Sequence, residues 1–148
     1  MRLIGKATGT IDLKSRVSLP ATYRKQLPAE LVITKSPDID FPSLVIFTPD
    51  GFDGWINNVM EGRGGYRASS RNLDDIVEMY HENAFNLKVD GVGRILIPTE
   101  LREYARIEKD MVFSGRRDRL IVRSAEIWEA KQKHMETVTA YDDEPAQA

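Results

Sequence analysis

The sequence predicts an α+β fold, mainly β with flanking helices, built from two copies of one small unit. A shift of 78 residues aligns four identical residues in the two halves of the 148-residue chain. The aligned pairs are Asp12 with Asp90, Arg16 with Arg94, Pro20 with Pro98, and Arg24 with Arg102. Short apolar runs and alternating patterns typical of β-strands flank both sets. Self-similarity at a fixed offset indicates a duplicated structural unit.

Each copy is predicted to begin with a strand, a tight turn and a second strand. Apolar and polar residues alternate over residues 85–89 and, more weakly, over residues 7–11, as in a half-buried strand. An aspartate leads the turn that follows, where it can bond nearby backbone amides. The second strands, at residues 16–19 and 94–97, are expected to direct their apolar residues to the core and their first arginine away from it.

A short helix and two further strands complete each copy. Pro20 and Pro98 suit the first position of a helix, because that position needs no N–H and the proline ring already sets φ. The helices are expected to bury Tyr23 and Leu101 and to leave the arginine after each of them in solvent. The closing strands are predicted at residues 31–34 and 44–47 in the first copy, and at residues 111–114 and 120–123 in the second.

A helix is predicted after each copy. Five apolar residues fall on one helical face: Phe52, Trp55, Ile56, Val59 and Met60. A matching helix is predicted over residues 125–135, and another over residues 73–80 between the copies. We expect the aromatic faces of the two trailing helices, at Phe52, Trp55 and Trp128, to contact neighbouring subunits.

The pattern divides the chain into four parts. These are residues 1–60, the first copy with its helix; 61–83, a linker and helix; 84–136, the second copy with its helix; and 137–148, a disordered acidic tail. One copy alone buries too little apolar surface to be stable. We therefore expect the copies to interleave into one domain, a closed barrel whose two turns are related by a pseudo-twofold axis.

The charge distribution is compatible with a nucleic-acid surface on the two copies, although the whole chain has a net charge of -2. Residues 1–35 hold seven Lys and Arg against two Asp and Glu, and residues 88–124 hold nine against six. The remaining segments are acidic. An ordinary solvated surface of mixed charge would explain the same segregation, so charge alone leaves both interpretations open.

Several classes of protein are disfavoured by the composition. The chain has no cysteine, which excludes disulfides, thiolate metal sites and a cysteine nucleophile. His81 and His134 are its only histidines, and no metal-ligand spacing or nucleophile motif accompanies them. The charged start does not suit a signal peptide, and no apolar run suits a membrane span. We expect a soluble, cytoplasmic protein that is not an enzyme and needs no metal or cofactor.

The paired motifs resemble those of a known family. Asp-Leu-Lys-Ser-Arg-Val-Ser-Leu-Pro at residues 12–20 and Asp-Gly-Val-Gly-Arg-Ile-Leu-Ile-Pro at residues 90–98 closely resemble the MraZ motifs, and the similarity covers residues 3–135. The resemblance implies a duplicated swapped-hairpin (double-split) β-barrel related to AbrB and SpoVT. It also implies a nucleoid-associated, DNA-binding transcription regulator of the cell-division and cell-wall gene cluster. Such a protein acts as a ring-shaped homo-oligomer on repeated sites, including those of its own promoter.

The resemblance places the DNA contacts on the two motifs. In the first motif, Lys14 would contact a phosphate, and Arg16 would contact either a guanine edge or a phosphate. In the second motif, Arg94 would be the corresponding DNA-contact residue. Arg24 would extend the basic surface. Without the resemblance, an arginine beside a turn aspartate is more often a structural pair, and Arg24 and Arg102 are more often solvated residues of a helix face.

The same resemblance assigns Asp12, Asp90 and Gly93 to the turns, where they orient the arginines without touching an anion. Two residues depart from the family pattern. Ser15 replaces a glycine in the first motif, so we expect it to adopt positive φ less readily. In the second motif, Val92 stands where lysine is common in the family, so this turn has one cation fewer. DNA contact is therefore assigned mainly to the first motif.

Two other functions remain open from the sequence. A protein-interaction ring that does not bind DNA fits the acidic total and the two departures. A divergent regulator of the AbrB or antitoxin type is the other, although that class usually has one copy per chain. Arg116, Arg117 and Arg119 surround the last hairpin turn and are interpreted as ordinary surface.

Overall fold

The computed structural model describes residues 1–62 and 71–142, with strands and helices in the order that the sequence predicts. They are β1 (Lys6–Thr10), β2 (Arg16–Ser18), α1 (Ala21–Arg24), β3 (Glu30–Lys35), β4 (Leu44–Phe47), α2 (Pro49–Gly62), α3 (Arg71–Glu82), β5 (Phe85–Lys88), β6 (Arg94–Leu96), α4 (Thr99–Tyr104), β7 (Asp110–Gly115), β8 (Arg119–Ser124) and α5 (Ala125–Asp142). Most of the expected linker, residues 63–70, and the end of the expected tail, residues 143–148, lie outside the described residues.

The two copies interleave through their strands. β1 of the first copy pairs with β7 of the second, and β5 of the second pairs with β3 of the first. β4 and β8 meet at the centre of a six-stranded antiparallel sheet of order β1-β7-β8-β4-β3-β5. Exchanging each strand for its counterpart in the other copy gives the same order reversed. The topology therefore has a pseudo-twofold relation between the copies.

β2 and β6 form a separate two-stranded antiparallel ribbon. Its central residues, Val17 and Ile95, are buried in the same cluster as Ile33 and Ile46 of the six-stranded sheet. Within the described residues, β1 and β5 are the edges of that sheet, so hydrogen bonds do not close it into a ring. The predicted α+β class is confirmed, with the ribbon packed over one face of an open sheet.

The main core lies between the sheet and the ribbon and contains residues of both copies. Phe113 and Ile46 are fully buried at its centre. Tyr23 of α1 and Leu101 of α4 are also buried, as the sequence predicts. The Tyr23 hydroxyl donates a hydrogen bond of 2.8 Å to the carbonyl oxygen of Gly5, which satisfies its polar end.

The opposite face of the sheet, called here the outer face, is covered by helices. Phe52 of α2 is 5% exposed and belongs to a second apolar cluster with Phe47 of β4. The Trp55 ring lies 4.7 Å from that of Tyr80 on α3. Phe52 is thus buried within the chain's own second cluster. This burial corrects the expectation that Phe52 faces a neighbouring subunit. Trp128 of α5 remains half-buried, and the interface assigned to it remains a prediction.

The starts of α1 and α4 and the end of α5 differ from the prediction. Pro20 and Pro98 are N-cap residues rather than first helical residues, because their ψ angles of 138° and 139° are extended. α5 continues to Asp142, so the acidic tail expected from residue 137 begins inside a helix. Its sequence contains no glycine or proline to end it earlier. None of the helices described is both long and apolar enough to cross a membrane.

Candidate nucleic-acid interface

Each aspartate-led turn is built around one carboxylate oxygen. Asp12 Oδ1 accepts hydrogen bonds from the backbone amides of Lys14, at 2.8 Å, and Arg16, at 2.9 Å. Asp90 Oδ1 accepts from the equivalent amides of the second turn at 3.0 Å and 2.8 Å. These bonds confirm that both aspartates bond the amides of their turns, as the sequence predicts.

The hydrogen bonds favour the ionised form of both carboxyls. The bond from the Arg16 amide is the main cause that lowers the pKa of Asp12 below its ordinary value of 3.8. The bond from the Arg94 amide has the same effect on the pKa of Asp90, and the Arg94 side chain adds to it. Partial desolvation opposes both shifts.

We expect the protein to lose stability as the pH falls below 3.8, the ordinary aspartate value. A carboxyl whose folded-state pKa is lowered stabilises the fold above its unfolded-state pKa, and this contribution disappears as the pH falls through the folded-state pKa. Asp90→Asn keeps an oxygen acceptor but cannot titrate. Calorimetry should therefore show a smaller drop in melting temperature between about pH 5 and about pH 3 for Asp90→Asn than for the unchanged protein. Equal drops would contradict this account.

The two turns use different residues at the same left-handed position. Ser15 has a φ of 62° and Gly93 a φ of 86°. The expectation that Ser15 resists positive φ is corrected by this geometry. Its hydroxyl accepts a hydrogen bond of 2.8 Å from Arg102 Nη1, an interaction that glycine could not make. The bond offsets part of the cost of placing a side chain in this conformation.

Arg24 and Arg102, which the repeat aligns, each reach the turn of the other copy. Besides its bond to Ser15, Arg102 donates to the carbonyl oxygens of Ile107, at 2.9 Å, and Glu108, at 2.8 Å. Arg24 Nη1 donates to a carbonyl oxygen of the second turn, that of Val92, at 3.3 Å. Arg102 is therefore a brace for the first turn, and its interpretation as a solvated helix residue is wrong.

Gly93→Ala should destabilise the protein by about 1–2 kcal/mol, because an L side chain is strained at positive φ. An added Cβ would also overlap the Arg24 guanidinium, which packs against Gly93. Gly91→Ala is the matched control, because Gly91 lies in the same turn, its φ is not positive and nothing lies within 4 Å of a Cβ built there. Urea denaturation compares the two variants; equal losses of stability would contradict the assignment.

The ribbon presents both motif arginines on its outward side. Val17 and Ile95 point into the core, so strand alternation directs Arg16 and Arg94 away from it. Arg94 Nε donates to Asp90 Oδ2 at 2.9 Å. The Arg16 guanidinium forms no hydrogen bond or ion pair with any residue of 1–62 or 71–142. The two arginines are thus equivalent in the repeat but differ in their availability to a ligand.

The tip of the first turn is more prominent and more basic than that of the second. Leu13 is 102% exposed, and Lys14 beside it is exposed and has no ion-pair partner in the part of the chain that the structure describes. The matching residues of the second turn are Gly91 and Val92, which carry no charge. Sequence reasoning did not assign Leu13, since a single apolar residue in a turn gives no signal of its exposure.

The predicted DNA-contact residues fall in one region. Lys14, Arg16 and Arg94 lie on the ribbon and its first turn, and Arg24 lies against the second turn. The helices that carry the predicted interface aromatics pack instead against the six-stranded sheet. No group of three or more His, Cys, Asp or Glu among the described residues could hold a metal ion.

The fold and this region together define a class: a duplicated α+β protein whose interleaved copies present two aspartate-held, arginine-bearing turns from one ribbon. Residues 81–145 match the family model described as "MraZ protein, putative antitoxin-like". The chain is 35% identical over 131 residues to "Transcriptional regulator MraZ" of Caldanaerobacter subterraneus subsp. tengcongensis, a match that covers 88% of this chain and 87% of that protein.

Two further relatives carry the same description. The chain is 33% identical over 127 residues to the protein of Thermoanaerobacter sp. (strain X514), covering 86% of this chain and 84% of the relative. It is also 33% identical over 128 residues to that of Legionella pneumophila (strain Corby), covering 84% and 80%. The chain belongs to the MraZ family of transcriptional regulators.

Proposed function

We propose that this protein is a sequence-specific DNA-binding regulator that contacts the duplex with the outward side of the β2–β6 ribbon and with its first turn. The observation that carries the proposal is that the Arg16 guanidinium is unpaired within the described part of the chain. Its guanidinium lies at the outward side with no partner among the described residues, beside the exposed Lys14. Cations at a fixed turn that form no ion pair are available to phosphates and base edges.

The shape of the ribbon suits the proposed contact. The major groove of B-DNA, about 12 Å wide, admits a two-stranded β-ribbon. Arg16 would bond a guanine edge or a phosphate, and Lys14 a phosphate. Arg94 would contribute less, because approaching DNA must compete with its bond to Asp90. Arg24 would extend the basic surface from below the second turn.

The remaining turn residues act through the arginines. Asp12 and Asp90 fix the backbone from which the side chains project, and Gly93 permits the second turn. Negative carboxylates would be repelled by a phosphate, so they orient the contact residues rather than touch DNA. In the proposed function the two copies, residues 1–60 and 84–136, act as one domain that holds both turns at a constant separation.

One such region gives few phosphate contacts, so a single copy of the chain should bind weakly and salt should weaken binding further. We propose that the protein acts as a ring-shaped homo-oligomer on repeated operator sites. Linking several weak contacts in one assembly raises the overall affinity by about 100- to 10,000-fold when the geometry fits. Trp128 and the exposed part of Trp55 are the side chains proposed for subunit contacts.

The proposed targets follow from the family resemblance. They are the cell-division and cell-wall gene cluster and the protein's own promoter, which would place the protein in the cytoplasm on the nucleoid. The relatives are named as transcriptional regulators rather than as enzymes.

Gel-shift titration on the DNA upstream of the protein's own gene tests the proposal, with a scrambled duplex of equal length as control. We expect several successive shifts that the scrambled DNA does not show and that weaken steeply as salt rises. Absence of binding at low salt would overturn the proposal in favour of a protein-interaction ring, which the net charge of -2 would suit. A single shift of one dimer per site would instead favour a divergent AbrB- or antitoxin-type regulator.

A further inference from the structure

A cationic pocket lies on the outer face of the sheet, away from the ribbon. Its volume is about 320 Å³, and it opens between the β7–β8 turn, α2 and α5. Four cationic residues line it: Arg116, Arg119, Arg123 and Lys131. Trp55 forms an aromatic wall backed by the fully buried Phe47, with ring centroids 5.2 Å apart and ring planes inclined by 29°. Sequence reasoning interpreted the arginines of this turn as ordinary surface.

Arg123 is the unusual member of this group. It is 8% exposed, and its Nε has no hydrogen-bond partner among the described residues. Arg123 also lines the pocket, so this unpaired donor belongs to its wall. A buried donor without an acceptor is costly, which indicates that the pocket can take a group with acceptor atoms.

The charges of the pocket do not balance. Lys131 Nζ pairs with Asp38 Oδ2 at 3.2 Å, and Arg119 Nε with Asp118 Oδ1 at 2.9 Å. Arg116 and Arg123 form no ion pair with any described residue. Burial lowers the pKa of Arg123, and the charge of Arg116 lowers it further, while Asp38 acts in the opposite direction. A bound anion would remove this repulsion and supply an acceptor for Arg123 Nε.

We propose that this pocket binds a phosphate-type oxyanion, either free or carried by a small molecule with a flat apolar ring. Arg116 and Arg123 would bond the oxyanion, because guanidinium groups match the geometry of phosphate oxygens. The partly exposed Trp55, which is backed by Phe47, would pack against the ring. Arg119, whose guanidinium carbon lies 4.9 Å from the centroid of the Phe47 ring, would border both parts.

This site is distinct from the proposed DNA interface. The pocket is lined by Val45 and Ile121, which belong to the apolar cluster of the outer face. Arg16 lies on the ribbon, on the other side of the main core. A duplex seated on the ribbon therefore would not provide the anion, and failure of one site leaves the other intact.

Isothermal titration with inorganic phosphate, AMP and adenosine tests the proposal on the full chain, in chloride at constant ionic strength. We expect saturable binding of phosphate or AMP and none of adenosine. Stronger binding of AMP would identify a carried phosphoryl group, and equal binding a free anion. Arg123→Met and Arg116→Ala should each weaken the binding by about 10- to 100-fold. Arg2→Met, which also removes one arginine outside the pocket, should leave it unchanged.

Two results would overturn the proposal: no saturable binding of phosphate or AMP, or equal binding by Arg123→Met and Arg2→Met. A buried charge without a partner destabilises a protein, because it has lost its hydration and gained no compensating contact. We therefore expect Arg123→Met to melt no lower than the unchanged protein when no anion is present. If Arg123→Met fails to fold, the exposed Arg116 supplies the same test, and unaltered binding by Arg116→Ala then contradicts the site.

Discussion

Arg16→Ala is expected to weaken binding to the upstream DNA by about 10- to 100-fold for each ribbon that contacts the duplex, since one bidentate arginine contact contributes about 1–3 kcal/mol. These reductions in affinity multiply when several subunits bind together. Arg94→Ala is the matched control, because it removes the aligned arginine of the other copy. Its effect should be smaller, since Arg94 Nε is held by Asp90 at 2.9 Å.

Fluorescence anisotropy with labelled DNA measures both variants and separates phosphate contacts from base contacts. Lys14→Ala should lower the slope of log K against log salt by about 0.9 for each phosphate that the lysine would neutralise, and should affect all DNA sequences alike. Arg16→Ala should act more strongly on the operator than on scrambled DNA if it reads a base. Unchanged affinity for Arg16→Ala, or a larger reduction for Arg94→Ala, would contradict the assignment of DNA binding to the first motif.

Phe113→Ala is expected to cost about 3–5 kcal/mol of folding free energy, because it removes a fully buried aromatic side chain. Phe113 lies on β7 of the second copy, yet its ring borders Gly9 on β1 of the first. The substitution should therefore destabilise both copies equally. Independent copies would instead confine the effect to the second.

The two tryptophans allow this to be measured. Trp55 is on α2, after the first copy, and Trp128 is on α5, after the second. Single-tryptophan proteins made with Trp128→Phe or Trp55→Phe report on each half by fluorescence during urea unfolding. We expect coincident transitions in both proteins and an equal shift when Phe113→Ala is added. A shift confined to the Trp128 signal would contradict the shared core.

Much of the fold could be predicted because its signals are local. Alternation over residues 85–89 and the aspartate at the next position determine a strand and a turn within a few residues. The repeat then predicts that the copies are alike. It does not specify how they pair, because strand pairing depends on contacts between residues far apart in sequence. The open sheet and the separate ribbon follow from that pairing.

The hydrogen bonds of the candidate site that lie within one motif could be predicted from the sequence. Those that join the two copies were missed. The Asp12 turn closes over residues 12–16, so its hydrogen bonds follow from local spacing. The bond from Arg102 to Ser15 joins residues 87 positions apart. A sequence signal existed for the pocket: strand alternation places Arg123 on the same face as the buried Ile121, where a charge is unusual. This signal was missed because arginines around a hairpin turn are usually ordinary surface residues.

The proximity of the first turn to DNA can be measured directly by photo-crosslinking. The chain has no cysteine, so a single engineered thiol carries the reagent. Leu13→Cys probes the first turn and Val92→Cys the second, and Met79→Cys, at a position 49% exposed on α3 of the outer face, is the control. We predict operator crosslinks from position 13 well above those from position 92, and background yield from position 79. Equal yields from positions 13 and 79 would contradict contact between the ribbon and DNA.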